Sequence, residues 1–443
     1  MSEERILLAG FSKVDITPDY PTGLGGYSNA ESRQHTGIAE NVYVTCIAIT
    51  EQVDGKKNTI LLYTIDNCAC EHWMAEDIRA VVAPITGVTG DRIFCSATHT
   101  HSAPSWGGYP NAQRYNEDFL EAAIKAAREA LADRAPAVQM AAKRDVYGMN
   151  FVRHFKLQDG TYGGSNFGNF KDNPAVGYAA EPDRQLLLVQ YRREMPKKSI
   201  TLVNWQGHPD CARAAGFENI TSGYPGTLRD ALSLYTGDLV AFFTGADGNT
   251  NITTRIKEDF HGYNWREYGV EMAKIAYEMY QELQEVEGTG ISFKREMFEA
   301  PIDHSWDHML PQANEVYDLW KSVGKPEGDA LGATYGFTSS YQARAIKSRA
   351  TMPESRSMEV NAFRVGGVGF TTGTYEMFSD AGIYIRANSP YAYTFLLTGN
   401  SGYIPSDAAF NYRCYEADTG FYARGTAEKL AENYVKMLNE VKE

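Results

Sequence analysis

The densest cluster of metal-binding and proton-transferring residue types lies at 92–104, Arg-Ile-Phe-Cys-Ser-Ala-Thr-His99-Thr-His101-Ser-Ala-Pro. A strand-like run leads straight into two histidines at i, i+2. That spacing puts both imidazoles on one side of an extended chain. Pro104 and Gly107-Gly108 then end the element. The whole chain has nine histidines, so a pair at a strand end is more than filler. A second apolar run, Ile200–Trp205, delivers His208-Pro209 in the same way. A third, Leu239–Phe243, ends in Gly245-Ala-Asp247-Gly248-Asn249, which suits either a tight turn or an active-site loop. Glu376 follows a strand and Gly373, and Tyr403 follows a strand and the stretch Gly-Asn400-Ser-Gly. Imidazole, carboxylate and phenol on separate strand ends form a mixed nitrogen–oxygen set of the kind that binds Zn2+.

Weaker candidates surround these. Asp66, at the end of Thr59–Ile65, is placed to orient a histidine. Cys68 and Cys70 form a C-x-C that reads mainly as packing. His304 and His308 have the i, i+4 spacing of helical ligands, but Pro301 and Pro311 crowd them and no H-E-x-x-H glutamate is present. Arg153 and His154 suit an anionic substrate or packing equally, and Trp106 and Tyr109 suit a pocket rim.

The elements that must hold these residues are short apolar runs alternating with amphipathic helices. Further strands are expected at Val42–Ile49, Arg92–Cys95, Gln185–Tyr191, Glu359–Val365, Val368–Thr371 and Thr394–Leu397. Helices are expected at Glu117–Ala132, Trp265–Glu285 and Thr426–Val441, where apolar residues recur on one stripe. This order predicts an α/β fold, with mixed sheets layered against flanking helices and the chemistry on loops at strand ends. No repeat of 20 to 50 residues is visible.

Composition narrows the function. Across 443 residues the net charge is −14, which argues against a broad grip on nucleic acid. The longest apolar runs fall far short of the roughly 20 residues of a membrane helix. An acidic start, Met1-Ser-Glu-Glu, and six cysteines without a C-x-x-C pair suit a cytoplasmic protein with reduced thiols.

The chain resembles the catalytic domain of the neutral, non-lysosomal ceramidases. The resemblance rests on Ala9-Gly-Phe-Ser-Lys-Val-Asp15-Ile-Thr-Pro18, Gly25-Gly26-Tyr27, Thr36-Gly37-Ile38 and above all Thr98-His99-Thr100-His101-Ser102. It continues through His208-Pro209, Ser222-Gly-Tyr224-Pro-Gly226, Gly373-Thr-Tyr-Glu376 and Gly402-Tyr403-Ile-Pro405. It implies zinc ligation by His99, His208, Glu376 and Tyr403, with His101 as the acid/base or oxyanion-stabilising histidine. It also implies a single catalytic domain over 1–443, without that family's immunoglobulin-like domain. One departure stands out. The family loop G-D-V-S-P-N carries a serine where this chain has Asn249. A serine-dependent step is therefore not expected, and Thr250 is a poor substitute for it. Asp247 and Asn249 are expected to bind substrate or hold the attacking water.

The leading expectation is a zinc-dependent hydrolase of a small or moderately polar amide or ester. His101, Asp247, Asn249 and Tyr403 would be its catalytic groups, and self-association into a homo-oligomer is left open. The alternatives are a true ceramidase acting on N-acylsphingosines, and a non-catalytic binding protein on the same fold.

Overall fold

The computed structural model describes residues 5–27, 31–164, 171–253, 264–399 and 402–442. Asn400 and Ser401, quoted above ahead of Tyr403, lie outside them.

One pattern of elements occurs three times. In each unit, three successive antiparallel strands are followed by a helix and a fourth strand parallel to the third. The first unit has Arg5–Asp15, Tyr43–Val53, Lys56–Ile65 and Ile93–Ala97. The second has Ala135–Asp145, Gln185–Arg193, Ile200–Trp205 and Leu239–Thr244. The third has Ile291–Pro301, Ser355–Val365, Val368–Gly373 and Tyr393–Thr398. A parallel pair needs a crossover, and the helices His72–Thr86, Gly223–Thr236 and Ser379–Asn388 supply it. A second helix follows each fourth strand: Ala112–Asp133, Trp265–Glu278 and Thr426–Lys442.

The third and fourth strands of each unit are buried on both faces, which explains their nearly continuous apolar runs. Arg5–Asp15 pairs with Ala135–Asp145, so the first two units form one continuous sheet and the third a separate one. In Lys56–Ile65, Ile60 and Leu62 face a central core shared by all three units, with Phe94, Leu202, Phe243, Phe363 and Phe370. Leu61, Tyr63 and Ile65 face the helices of their own unit. The second and third units have corresponding outer cores under their own helix pairs. The fourth strands are not laddered to one another. Polar side chains bond them instead: Ser96 Oγ donates to Thr398 O at 2.9 Å, Thr244 Oγ1 to Thr98 O at 2.8 Å, and Asn204 Nδ2 to Leu396 O at 2.8 Å. These bonds satisfy carbonyls that would otherwise be buried without partners.

The strand directions put the C-terminal ends of the first, third and fourth strands of each unit at the same end of its sheet. The insertions between first and second strands, at 16–42, 146–184 and 302–354, therefore leave from that end too. The third insertion is helical, with Leu310–Ser322, Lys325–Thr334 and Ser340–Arg349.

The expected helix Trp265–Glu285 ends earlier, at Glu278; a short 3-10 turn follows, and Gln284–Glu285 joins the edge of Ala135–Asp145. Thr426–Lys442 runs one residue past its expected end. No helix among the described residues is long and apolar enough to cross a membrane.

Candidate metal centre

Strand ends from all three units send polar side chains toward one point. His99 and His101 follow the fourth strand of the first unit, and His208 follows the third strand of the second. Their Nε2 atoms converge: 3.1 Å between His99 and His208, 3.2 Å between His99 and His101, and 3.0 Å between His208 and His101. Glu376, past the third strand of the third unit, brings Oε2 to 3.6 Å from His99 Nε2. All four residues are buried.

The backbone at His99 differs from the extended chain that the i, i+2 spacing suggests. His99 is left-handed, with φ 65°. Outside glycine this conformation costs of order 1–3 kcal/mol and persists where the surroundings enforce it. It turns His99 Nδ1 onto the Cys68 carbonyl at 2.5 Å. Opposite His101, Gly26 has φ 90° and a Cβ there would lie 2.6 Å from His101 Cβ, so only glycine lets the first insertion close on this ring.

The electrostatics fit a cation. Burial pushes the pKa values of His99, His101 and His208 down; Arg153 adds to this at all three, and the neighbouring imidazoles add to it at His99 and His208. The rings are therefore neutral. His99 donates Nδ1–H to a carbonyl, so its Nε2 holds a free lone pair directed at the other two rings. Burial drives the Glu376 carboxyl up, and Asp247 reinforces the rise. Glu376 Oε2 and both Asp247 oxygens have no hydrogen-bond partner among the described residues. Burial also pushes Asp247 up, to about 7. Asp247 Oδ2 lies 3.6 Å from His208 Nδ1, on the side of the ring away from the convergence point. Converging lone pairs and unanswered carboxylates are the donor chemistry of a divalent metal site. His99, His208 and Glu376 offer ligand atoms that all lie within 4.8 Å of one another.

Tyr403 is locked to Glu376. The two residues pair in a short parallel bridge, and Glu376 N donates to Gly402 O at 2.7 Å. Arg153 Nη2 donates to the Tyr403 hydroxyl at 3.3 Å and to Gly248 O at 2.8 Å. Gly248 fits because a Cβ there would lie 2.9 Å from Glu376 O.

Several expectations are narrowed by these contacts. Asn249 is buried, and its Oδ1 accepts from Ser379 N at 2.9 Å and Ser379 Oγ at 2.8 Å, capping the start of Ser379–Asn388. Its oxygen is thus committed, and only Nδ2 is left for a ligand. Thr250 Oγ1 donates to Gln206 O at 3.0 Å. Asp66 does not orient a histidine: its carboxylate takes a bidentate pair from Arg229 at 2.8 and 2.6 Å, and Thr98 Oγ1 at 3.2 Å. It therefore steadies the backbone just before His99. His304 bonds Asp307 at 2.8 Å and His308 stacks beside Trp306, so the pair forms no joint ligand set. Trp106 and Tyr109 lie at the start of Ala112–Asp133, where Trp106 packs on Phe119.

Two participants were hard to see in the sequence. Cys68 Sγ lies 3.8 Å from His99 Nδ1, so the C-x-C reaches the site through one of its two thiols. Glu416 takes Arg153 Nε at 2.6 Å and His154 Nε2 at 2.7 Å, which fixes the arginine that touches Tyr403. No motif announces Glu416. The Asn150–His154 segment was the available pointer.

No family model matches the chain, and no curated protein matches it. Solved structures do. The chain aligns with neutral ceramidase from Pseudomonas aeruginosa over 99% of its length and 75% of that chain, with TM-score 0.73 and 15% identity. A second structure, described as a ceramidase complexed with C2, aligns over 99% of this chain and 76% of its own, with TM-score 0.70 and 14% identity. At this identity the likeness establishes the fold: a mixed α/β, ceramidase-like architecture.

Proposed function

We propose that the chain is a zinc-dependent hydrolase that cleaves an amide or ester bond, with residues 1–443 acting as one catalytic unit. The observation that carries this reading is the convergence of three neutral imidazoles and a carboxylate whose Oε2 has no hydrogen-bond partner among the described residues. His99, His208 and Glu376 would hold the ion, with Tyr403 beside them. Bound zinc supplies Lewis acidity, lowering the pKa of a coordinated water from near 16 toward about 7.

The chain's own groups supply the rest. Asp247 faces His208 Nδ1 and holds that ring in orientation. His101 Nε2, free of the strand ladder and beside the reacting point, suits proton transfer to the leaving amine or alcohol. Tyr403 and Arg153 present O–H and N–H donors where negative charge would develop on the substrate oxygen. Asn249 Nδ2 is the remaining unpartnered donor.

The substrate is proposed to be smaller or more polar than ceramide. The fold favours a second reading, true N-acylsphingosine hydrolysis. Both are tested with zinc-loaded protein on a short-chain fluorescent ceramide and on small N-acyl amines and acids. Turnover of the small substrates, abolished by chelator and restored by zinc, is expected. Turnover of the ceramide alone would favour the second reading. No turnover of any, with zinc bound, would favour a binding protein.

A further inference from the structure

The helical insertion at 302–354 reaches the candidate site through a run of rings. Tyr403 meets Tyr415 with centroids 6.3 Å apart, Tyr415 meets Tyr341 at 5.9 Å, Tyr341 meets Trp320 at 5.2 Å, and Trp320 meets Tyr317 at 5.8 Å. All five residues are only half-buried. On Ser340–Arg349, Tyr341 and Arg344 share the half-buried face, while Gln342, Ala343, Ala345 and Ile346 pack inward.

Arg344 has unusual company. Its Cζ lies 5.3 Å from the Tyr341 centroid and 5.9 Å from that of Trp320. It is also near enough to Tyr415 that its charge opposes the rise in that phenol's pKa caused by burial. Other sequestered arginines end on hydrogen-bond acceptors: Arg79 on Glu359, Arg153 on Glu416, Arg229 on Asp66 and Arg386 on Asp183, and Arg33, which also lies over two rings, on the carbonyls of Gly25, His101 and Phe217. The neighbouring cations are also engaged, Lys325 with Asp329 and Lys347 with Asn314, each at 2.5 Å. Arg344 has no carboxylate, carbonyl or hydroxyl partner among the described residues, and its rings contribute faces rather than acceptors. Meanwhile the chain carries a net charge of −14, and Glu376 and Asp247 stand at the site. Arg153 is the cation at the site itself, and Arg344 adds a second, unpaired among the described residues, on the side of the helical insertion.

We infer that Arg344 is an anion subsite of the hydrolytic site, taking a carboxylate on the part of the substrate that faces the helical insertion. The planar guanidinium matches a carboxylate bidentately, and Tyr415 and Tyr341 flank the path from that group to the scissile bond. The substrate class is then an N-acylated amino acid or a comparable acid. An N-acylsphingosine, which has hydroxyls but no charge, does not use the subsite. Calling the ligand a substrate rests on the hydrolase reading; the anion contact itself does not.

The test is calorimetric titration of N-benzoylglycine and of its neutral amide into the full zinc-loaded chain, into Arg344→Gln and Arg344→Lys, and into the His99→Ala/His208→Ala double variant. The expected result is a preference for the carboxylate of about 10-fold or more in the wild type, lost in Arg344→Gln and partly kept in Arg344→Lys. The preference should survive in the double variant, where metal binding is disabled. No preference in the wild type, or an equal preference in Arg344→Gln, overturns the inference. Hydrolysis without an Arg344-dependent preference sinks the subsite and spares the hydrolase reading; the preference without hydrolysis does the reverse. Unchanged thermal midpoints of the Arg344 variants separate the effect from misfolding.

Discussion

Glu416 and Glu376 are both buried glutamates beside histidines, yet only Glu416 has its charge answered by the protein. Both oxygens of Glu416 are bonded, to Arg153 and His154, and these two side chains hold the carboxyl well below the usual range despite the burial that opposes them. Glu376 faces neutral rings with Oε2 unpartnered, and burial drives its carboxyl up. A fourth-strand loop and an insertion build the first cluster as an internal ion pair. Strand ends from three units build the second as a set of neutral imidazoles and a carboxylate, whose nearest cation, Arg153, is committed to Glu416. Histidine, cysteine and glutamate at ligand spacing occur in both. Charge balance, rather than spacing, separates the structural cluster from the candidate metal centre.

That comparison can be broken, starting with its largest effect. Glu416→Ala leaves Arg153 and His154 without their carboxylate and should destabilise the protein by about 3–5 kcal/mol, read by denaturant unfolding. The same group sets a pH dependence. Its folded pKa lies below the unfolded value of about 4.3, so its stabilisation is complete above that value and is lost as pH falls below it. Unfolding curves between pH 7 and 3 should show this loss in the wild type and a weaker one in Glu416→Gln. Glu376→Gln should behave oppositely: it removes a buried carboxylate whose burial outweighs the help of Arg153, itself paired to Glu416, so the thermal midpoint of the metal-free protein should hold or rise while zinc affinity falls. Asp247→Asn, which withdraws the carboxylate facing His208, should weaken zinc binding by about 10–100-fold in a competition titration. The smallest effect concerns backbone strain. His99→Gly and His99→Ala both remove the ligand, but the glycine suits φ 65° and should leave the protein about 1 kcal/mol more stable than the alanine.

The same contrast explains what could be read from the sequence. His99, His208, Glu376 and Tyr403 stood out because each ends an apolar run, and apolar runs mark strands buried on both faces. Glu416 and Cys68 did not, since their role depends on loops from different units meeting in space. Among the elements, the third and fourth strands of each unit were legible. Ile291–Pro301 was missed because Lys294, Arg295, Glu296 and Glu299 break its apolar pattern on a half-exposed edge. Gly223–Thr236 opens with Gly-Tyr-Pro-Gly, which reads as a turn, although proline is tolerated in a helix's first turn. The threefold recurrence stayed hidden because it lies in strand order and burial, and each unit carries a different insertion.

The most direct measurement is the zinc content of the purified full chain after zinc loading and removal of excess, beside His99→Ala, His208→Ala and Glu416→Gln. The account expects about one zinc per chain in the wild type and in Glu416→Gln, and close to none in either histidine variant. A wild type that retains no zinc, or histidine variants that retain as much as the wild type, would contradict it.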